Sequence, residues 1–200
     1  MVIVNKPAGL LVIPTPKNET RTLTSILNDD LKEKGASYRL HPCHRLDRDT
    51  SGLIIYAKGK SWQKRMMDLF KSRQIKKKYI AFVHGAVNSG EGQIKKPIAG
   101  VFAHTIYKVL ETRKDYTVVE IIILTGRTNQ IRIHFAGIGH PLMGEDKFAF
   151  RRDFKVRMNK LCLHAKELGF IHPLTRKNLY FDAELPKHMK EFLERKIIDG

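Results

Sequence analysis

The sequence predicts an α+β domain built around a mixed, mainly antiparallel β-sheet. Short stretches rich in β-branched and aromatic residues recur along the chain, and they do not alternate regularly with helical patterns. That irregularity argues against a doubly wound parallel sheet. Hydrophobic residues make up 42% of the 200 residues, enough to fill a core and to exclude a globally disordered chain. No low-complexity segment, repeat or linker divides the sequence, so a single domain over residues 1–200 is expected.

Val2–Val4, Gly52–Tyr56, Tyr79–Val83, Thr105–Leu110 and Tyr116–Leu124 read as strands, because they concentrate the residue types that fit a pleated surface. Leu23, Ile26, Leu27 and Leu31 recur at helical spacing behind Thr22. Trp62, Met66, Leu69 and Phe70 do the same behind Ser61, a candidate N-cap. Asn129–Ile138 places Ile131, Phe135 and Ile138 on one helical face, with Thr128 as candidate cap and Gly139 as the candidate residue past its end. A last helix follows Pro186 and turns Met189, Phe192 and Leu193 inward.

Charge points to the partner. The chain carries 37 Lys and Arg against 20 Asp and Glu, a net charge of +17. The excess is distributed, with a dense knot at Lys71–Arg73 and Lys76–Lys78, so it is not a basic tail. An imbalance of this size suits a folded protein with a polyanionic partner. No stretch approaches the roughly 18 unbroken apolar residues of a membrane span, and Asn5, Lys6 and Pro7 interrupt any signal-peptide plan at the start. Two cysteines, Cys43 and Cys162, suit a reducing compartment, so a cytoplasmic protein with no membrane partner is expected.

Three stretches carry candidate chemistry. In His41–Gly52, five ionisable side chains (His44, Arg45, Asp47, Arg48 and Asp49) precede a turn and an apolar strand. His41, Cys43 and His44 lack a matching second pair of ligands, so no metal is expected. Asp47 and Asp49 would point to opposite faces of an extended chain, which argues against their acting as an acid–base pair. A lone carboxylate among cations suits either a nucleophile or base, or a structural ion pair. In Leu124–Gly144, Arg127 and Arg132 lie at the start of the expected helix, where either faces an anion or makes a surface ion pair. In Lys76–Gly85, lysines run into a strand on which Tyr79, Ala81 and Val83 share a face. Tyr79 there is either a core aromatic or a platform on which a base stacks.

Taken in order, these residues resemble the RluA-type pseudouridine synthases over almost the whole chain. Asn5-Lys6-Pro7-x-Gly9 resembles the family's opening motif, and His44-Arg45-Leu46-Asp47-x-x-Thr50-Ser51-Gly52 its catalytic motif. Lys77-x-Tyr79-x-Ala81-x-Val83-x-Gly85 resembles the tyrosine motif, with Ala103-x-Thr105-x-Tyr107 opening the next strand. Gly126-Arg127-Thr128-x-Gln130-Ile131-Arg132 resembles the arginine motif, and His140-Pro141 and Leu161-x-Leu163-His164-Ala165 complete the series.

The resemblance implies the family's fold, with helices and loops around a central catalytic cleft. It also implies isomerisation of uridine to pseudouridine in ribosomal or transfer RNA, without cofactor or metal; a monomer with no obligatory protein partner is expected. Carried over, Asp47 is the catalytic aspartate, Tyr79 packs on the target base and Arg132 partners the aspartate. Arg45, Arg48, Arg73, Lys76, Lys78, Arg127 and Ile131 are the candidate RNA-binding residues. The sequence departs from the family at Asn129, where histidine is common, and at Glu145 and Phe148, where aspartate and tyrosine are usual. These three departures are expected to leave the catalytic candidates untouched. Pro97–Ala103 is short for the family, and no S4-like RNA-binding domain precedes the first motif in this chain.

Overall fold

The structure, a computed structural model, describes residues 1–16, 19–149, 154 and 156–198. The chain forms two compact units, Met1–Lys76 with Glu167–Ala183, and Lys77–Lys166 with Glu184–Gly200.

In the first unit, β1 (Val2–Lys6) runs antiparallel to β3 (Ser51–Lys58), with Val2 opposite Tyr56 and Lys6 opposite Gly52. β2 (Leu40–Pro42) also pairs antiparallel with β3. β8 (Leu163–Ile171) enters this unit at Glu167 and pairs antiparallel with β9 (Asn178–Asp182). β3 is buried from Ser51 to Ala57, which explains its continuous apolar run: both faces are covered. Leu53, Ile55, Ala57, Met66, Leu168 and Phe170 form the core of the unit. Helix α1 (Leu23–Glu33) starts in a capping box, Thr22 with Ser25, as the position of Thr22 predicted. Its Asn28 amide both accepts from and donates to the backbone of Leu40, fastening α1 to β2.

Helix α2 (Lys60–Lys71) is capped by Gly59, not Ser61, which lies inside the helix. The reason is tertiary: Gly59 N–H donates to the carbonyl of Arg39, holding Gly59 at φ 89° immediately after β3.

In the second unit, the strand order is β4 (Lys76–His84), β7 (Tyr116–Ile123), β6 (Thr105–Thr112) and β5 (Glu91–Ile94), all antiparallel. A bulge between Val109 and Glu111 leaves Leu110 exposed. Ile80, Phe82, Tyr116, Val118, Met143, Cys162, Met189 and Phe192 make the core, so α4 (Lys187–Ile198) docks by the face its spacing predicted. Helix α3 (Gln130–Ala136) is shorter than expected. Its N-cap is Asn129 in a left-handed conformation, not Thr128, and Gly137 rather than Gly139 is its C-cap. The helix stops because His140 N–H reaches back to Phe135 and Gly139 N–H to Ala136, a turn that Gly139 closes at φ 82°.

The mainly antiparallel strands and the helices bear out the α+β class. Among the described residues, four strands escape the sequence pattern. β2 and β5 are only three and four residues long, and β8 and β9 mix apolar with charged residues. Among the described residues, no helix is long and apolar enough to cross a membrane.

Candidate functional site

Asp47 sits in a tight turn before β3. Thr50 N–H donates to the Asp47 carbonyl at 3.2 Å, and Thr50 and Ser51 are buried while Asp47 stays half-buried. The segment is therefore folded, not extended. The expectation that Asp47 and Asp49 alternate across a strand is corrected, because the turn bond bends the chain between them.

A buried lysine fastens this turn. The Lys6 side chain has no exposed surface, and its Nζ donates to the carbonyls of Pro7 (2.9 Å), Leu10 (2.8 Å) and Arg48 (2.9 Å). Gly9 N–H donates to the same Arg48 carbonyl at 2.9 Å. Burial pushes the Lys6 ammonium down to about 8, and the negative charges of Asp49 and Asp47 act in the opposite direction. The opening motif thus grips the backbone one residue past Asp47, with three donors for three acceptors.

His44 is a structural residue of the motif. Its Nε2 accepts from Ile55 N–H at 3.0 Å, and its ring packs on Phe70 with centroids 4.5 Å apart. Cys43 is buried, and burial pushes its thiol up to about 12. Among the described residues, no three His, Cys, Asp or Glu side chains group as metal ligands would.

In the second unit, Tyr79 is 5% exposed on β4, opposite Ile121 of β7. Arg132, on the first turn of α3, is buried too. Its guanidinium makes a bidentate pair with Glu145, Nε to Oε2 at 2.6 Å and Nη2 to Oε1 at 2.7 Å. Nη1 donates to Asn129 Oδ1 at 3.2 Å, and the Phe148 ring centroid lies 5.3 Å from Cζ. Glu145 Oε1 also accepts from the backbone N–H groups of Asp146, Lys147 and Phe148. Burial alone would push the Glu145 carboxyl up. The hydrogen bonds from Arg132 and from the backbone outweigh burial and hold it below its ordinary value.

This arrangement overturns one expectation. Asn129, Glu145 and Phe148, the three departures from the family pattern, all touch Arg132. Their scatter over twenty sequence positions concealed it, because only the fold of the loop after α3 brings 145 and 148 back to residue 132. The opening motif does not by itself disclose this task of Lys6; a lysine between a strand and a Pro-x-Gly turn is its signal in the sequence.

The candidate RNA-binding residues divide. Arg45, Arg73, Lys76 and Arg127 are exposed. Arg48 is exposed but ion-paired with Glu19, and Lys78 pairs with Glu120 at 3.2 Å. Ile131 is buried on α3, 5% exposed, as Tyr79 is on β4.

Comparison with known proteins agrees with the sequence motifs. The family described as RNA pseudouridylate synthase matches residues 1–137. The chain is 36% identical over 211 residues to an uncharacterized RNA pseudouridine synthase, YlyB, of Bacillus subtilis, covering 97% of this chain and 69% of that protein. It is 35% identical to the dual-specificity RNA pseudouridine synthase RluA of Pasteurella multocida, covering 91% and 88%. Among solved structures, human RNA pseudouridylate synthase domain containing 4 superposes with a TM-score of 0.81 at 24% identity, over 97% of this chain and 88% of that one, a likeness of fold. With ordered motifs, fold and relatives in agreement, this chain belongs to the RluA-type RNA pseudouridine synthase family.

Proposed function

We propose that the protein converts uridine to pseudouridine in ribosomal or transfer RNA with Asp47 as the catalytic carboxylate, acting as a cytoplasmic monomer. The observation that carries this reading is the immobilised Asp47 turn. Lys6 and Gly9 both grip the Arg48 carbonyl, and Thr50 N–H closes the turn on Asp47 itself. A carboxylate that must meet one carbon atom needs such fixed backbone more than a surface ion pair does.

The reaction is an isomerisation. The C1′–N1 bond breaks, uracil turns while held, C1′ bonds to C5, the C5 proton is lost and N1 gains a proton. The Asp47 carboxylate serves two routes, attack at C1′ or removal of the 2′ proton. Tyr79 packs on the target base, and Arg132 supports the carboxylate's charge during the reaction. Its buried, doubly bonded setting supports such a task, because its orientation costs nothing when the substrate arrives. The reacting base is out of reach inside a helix, so it is extruded, and Arg45, Arg73, Lys76 and Arg127 hold the backbone around it.

Asp47→Ala is expected to abolish tritium release from RNA labelled at uridine C5 while RNA binding persists. Turnover near that of the parent protein would remove Asp47 from the chemistry.

A further inference from the structure

The segment leading into β6 carries an exposed aromatic that neither the core nor the proposed catalytic residues use. Ile98 and Val101 exchange both backbone hydrogen bonds, at 2.9 and 3.0 Å, around Ala99 and Gly100, both left-handed (φ 48° and 75°). An alanine held there is strained by roughly 1 kcal/mol, so the turn is imposed by its surroundings. It presents Val101 and Phe102, 47% and 57% exposed, immediately before the fully buried Ala103.

Arg127 bonds the backbone of Phe102 and His104 meets its ring. Arg127, itself exposed, donates from Nε to the Phe102 carbonyl at 3.1 Å. The His104 ring meets the Phe102 ring edge-on at 6.2 Å. Lys95 and Lys96 are exposed on the approach to the turn. The patch is also tied to α3. Gln130, 3% exposed, accepts from Thr125 Oγ1 and Arg127 N–H, and donates to the His104 carbonyl and Thr105 Oγ1. One buried amide thus joins the Phe102 segment to the helix that bears Arg132.

We propose that Phe102 is a stacking platform for an RNA base other than the one that reacts, with the neighbouring phosphate on Arg127. This deepens the RNA-modifying reading and rests on it. The exposed apolar side chains are Val101 and Phe102, with Leu124, 38% exposed, bonded through its N–H to the His104 carbonyl, and Arg127 fastened to the same segment, on a chain of net charge +17. That composition suits a nucleobase with its phosphate, and a protein partner would need a wider apolar area.

The test is binding of single-stranded oligouridylate, followed by fluorescence anisotropy at low salt. Phe102→Ala is expected to weaken affinity about tenfold, as loss of one stacked base does. Phe102→Tyr should retain affinity, and Phe102→Trp should show indole emission quenched by oligouridylate. Tyr180→Ala, removing an aromatic that is 64% exposed elsewhere, serves as control and should bind as the parent does. Parent-like affinity in Phe102→Ala overturns the proposal. So does loss of self-association in that variant with RNA affinity unchanged, which would assign the patch to contact between copies. Failure of the underlying reading looks different: the parent protein would form no pseudouridine in unmodified ribosomal or transfer RNA transcripts.

Discussion

Arg132 is held on one edge by Glu145, at Nη1 by Asn129 and beside its face by Phe148. An arginine so constrained has little freedom left to lose, and a lysine could not reproduce the two parallel bonds. Glu145→Gln removes the charge but keeps the shape, leaving Asp146, 3.5 Å from Nη2, as the carboxylate beside the buried guanidinium. A loss of about 2 kcal/mol is expected, read as a lowered urea midpoint with unchanged slope. The pH dependence follows from the same pair. The folded-state value of Glu145 lies below its unfolded one, so its stabilisation is complete above the ordinary carboxylate value and disappears as pH falls through the folded value. Acid titration of stability should therefore be flatter in Glu145→Gln than in the parent. At Lys6 the prediction separates position from charge. Lys6→Met fills the same buried volume but leaves the carbonyls of Pro7, Leu10 and Arg48 without this donor. About 2 kcal/mol of stability should be lost, and turnover should fall further than RNA affinity, because the turn bearing Asp47 is released. Equal turnover in a folded Lys6→Met protein would show that the clamp does not position the carboxylate.

The loop after α3 shows how one element depends on a single backbone position. Gly144 has φ 78°, and a Cβ placed there would lie 2.1 Å from the Lys160 carbonyl oxygen. That contact is with backbone, which cannot swing aside. Gly144→Ala should therefore displace the segment that carries Glu145 and cost more than about 3 kcal/mol, by strain and overpacking together. A melting temperature near that of the parent would mean the segment shifts freely. Element by element, the sequence pattern succeeded where burial is one-sided or continuous, as in β3, β4, β6, β7 and the inward face of α4. It failed at helix ends. The spacing that marks a helix says little about where its first residue lies, and Gly59 and Asn129 were placed by contacts made elsewhere: a bond to Arg39 for the first, a bond to Arg132 for the second.

At the scale of the whole molecule, the +17 charge governs association. Ion pairs already occupy Arg48 and Lys78, whereas Arg45, Arg73, Lys76 and Arg127 remain exposed. Affinity for RNA should fall steeply from low to moderate salt, with the logarithm of the binding constant linear in the logarithm of salt concentration. Neutralising Arg45, Arg73 and Lys76 together should make that slope shallower by about one unit or more; a slope unchanged in the triple variant would place the phosphate contacts elsewhere. Composition, motif order and hydrophobic spacing determined the class of fold, the family and the polyanionic partner, because those properties depend on residue types and their local periodicity. The tertiary structure alone decided that Lys6 clamps the Asp47 turn, that Asp47 and Asp49 lie in a turn, and that three scattered departures meet at Arg132. The physical reason is burial: a lysine or glutamate becomes a positioning group only when surrounding chain removes water from it and supplies the partners that its charge then requires.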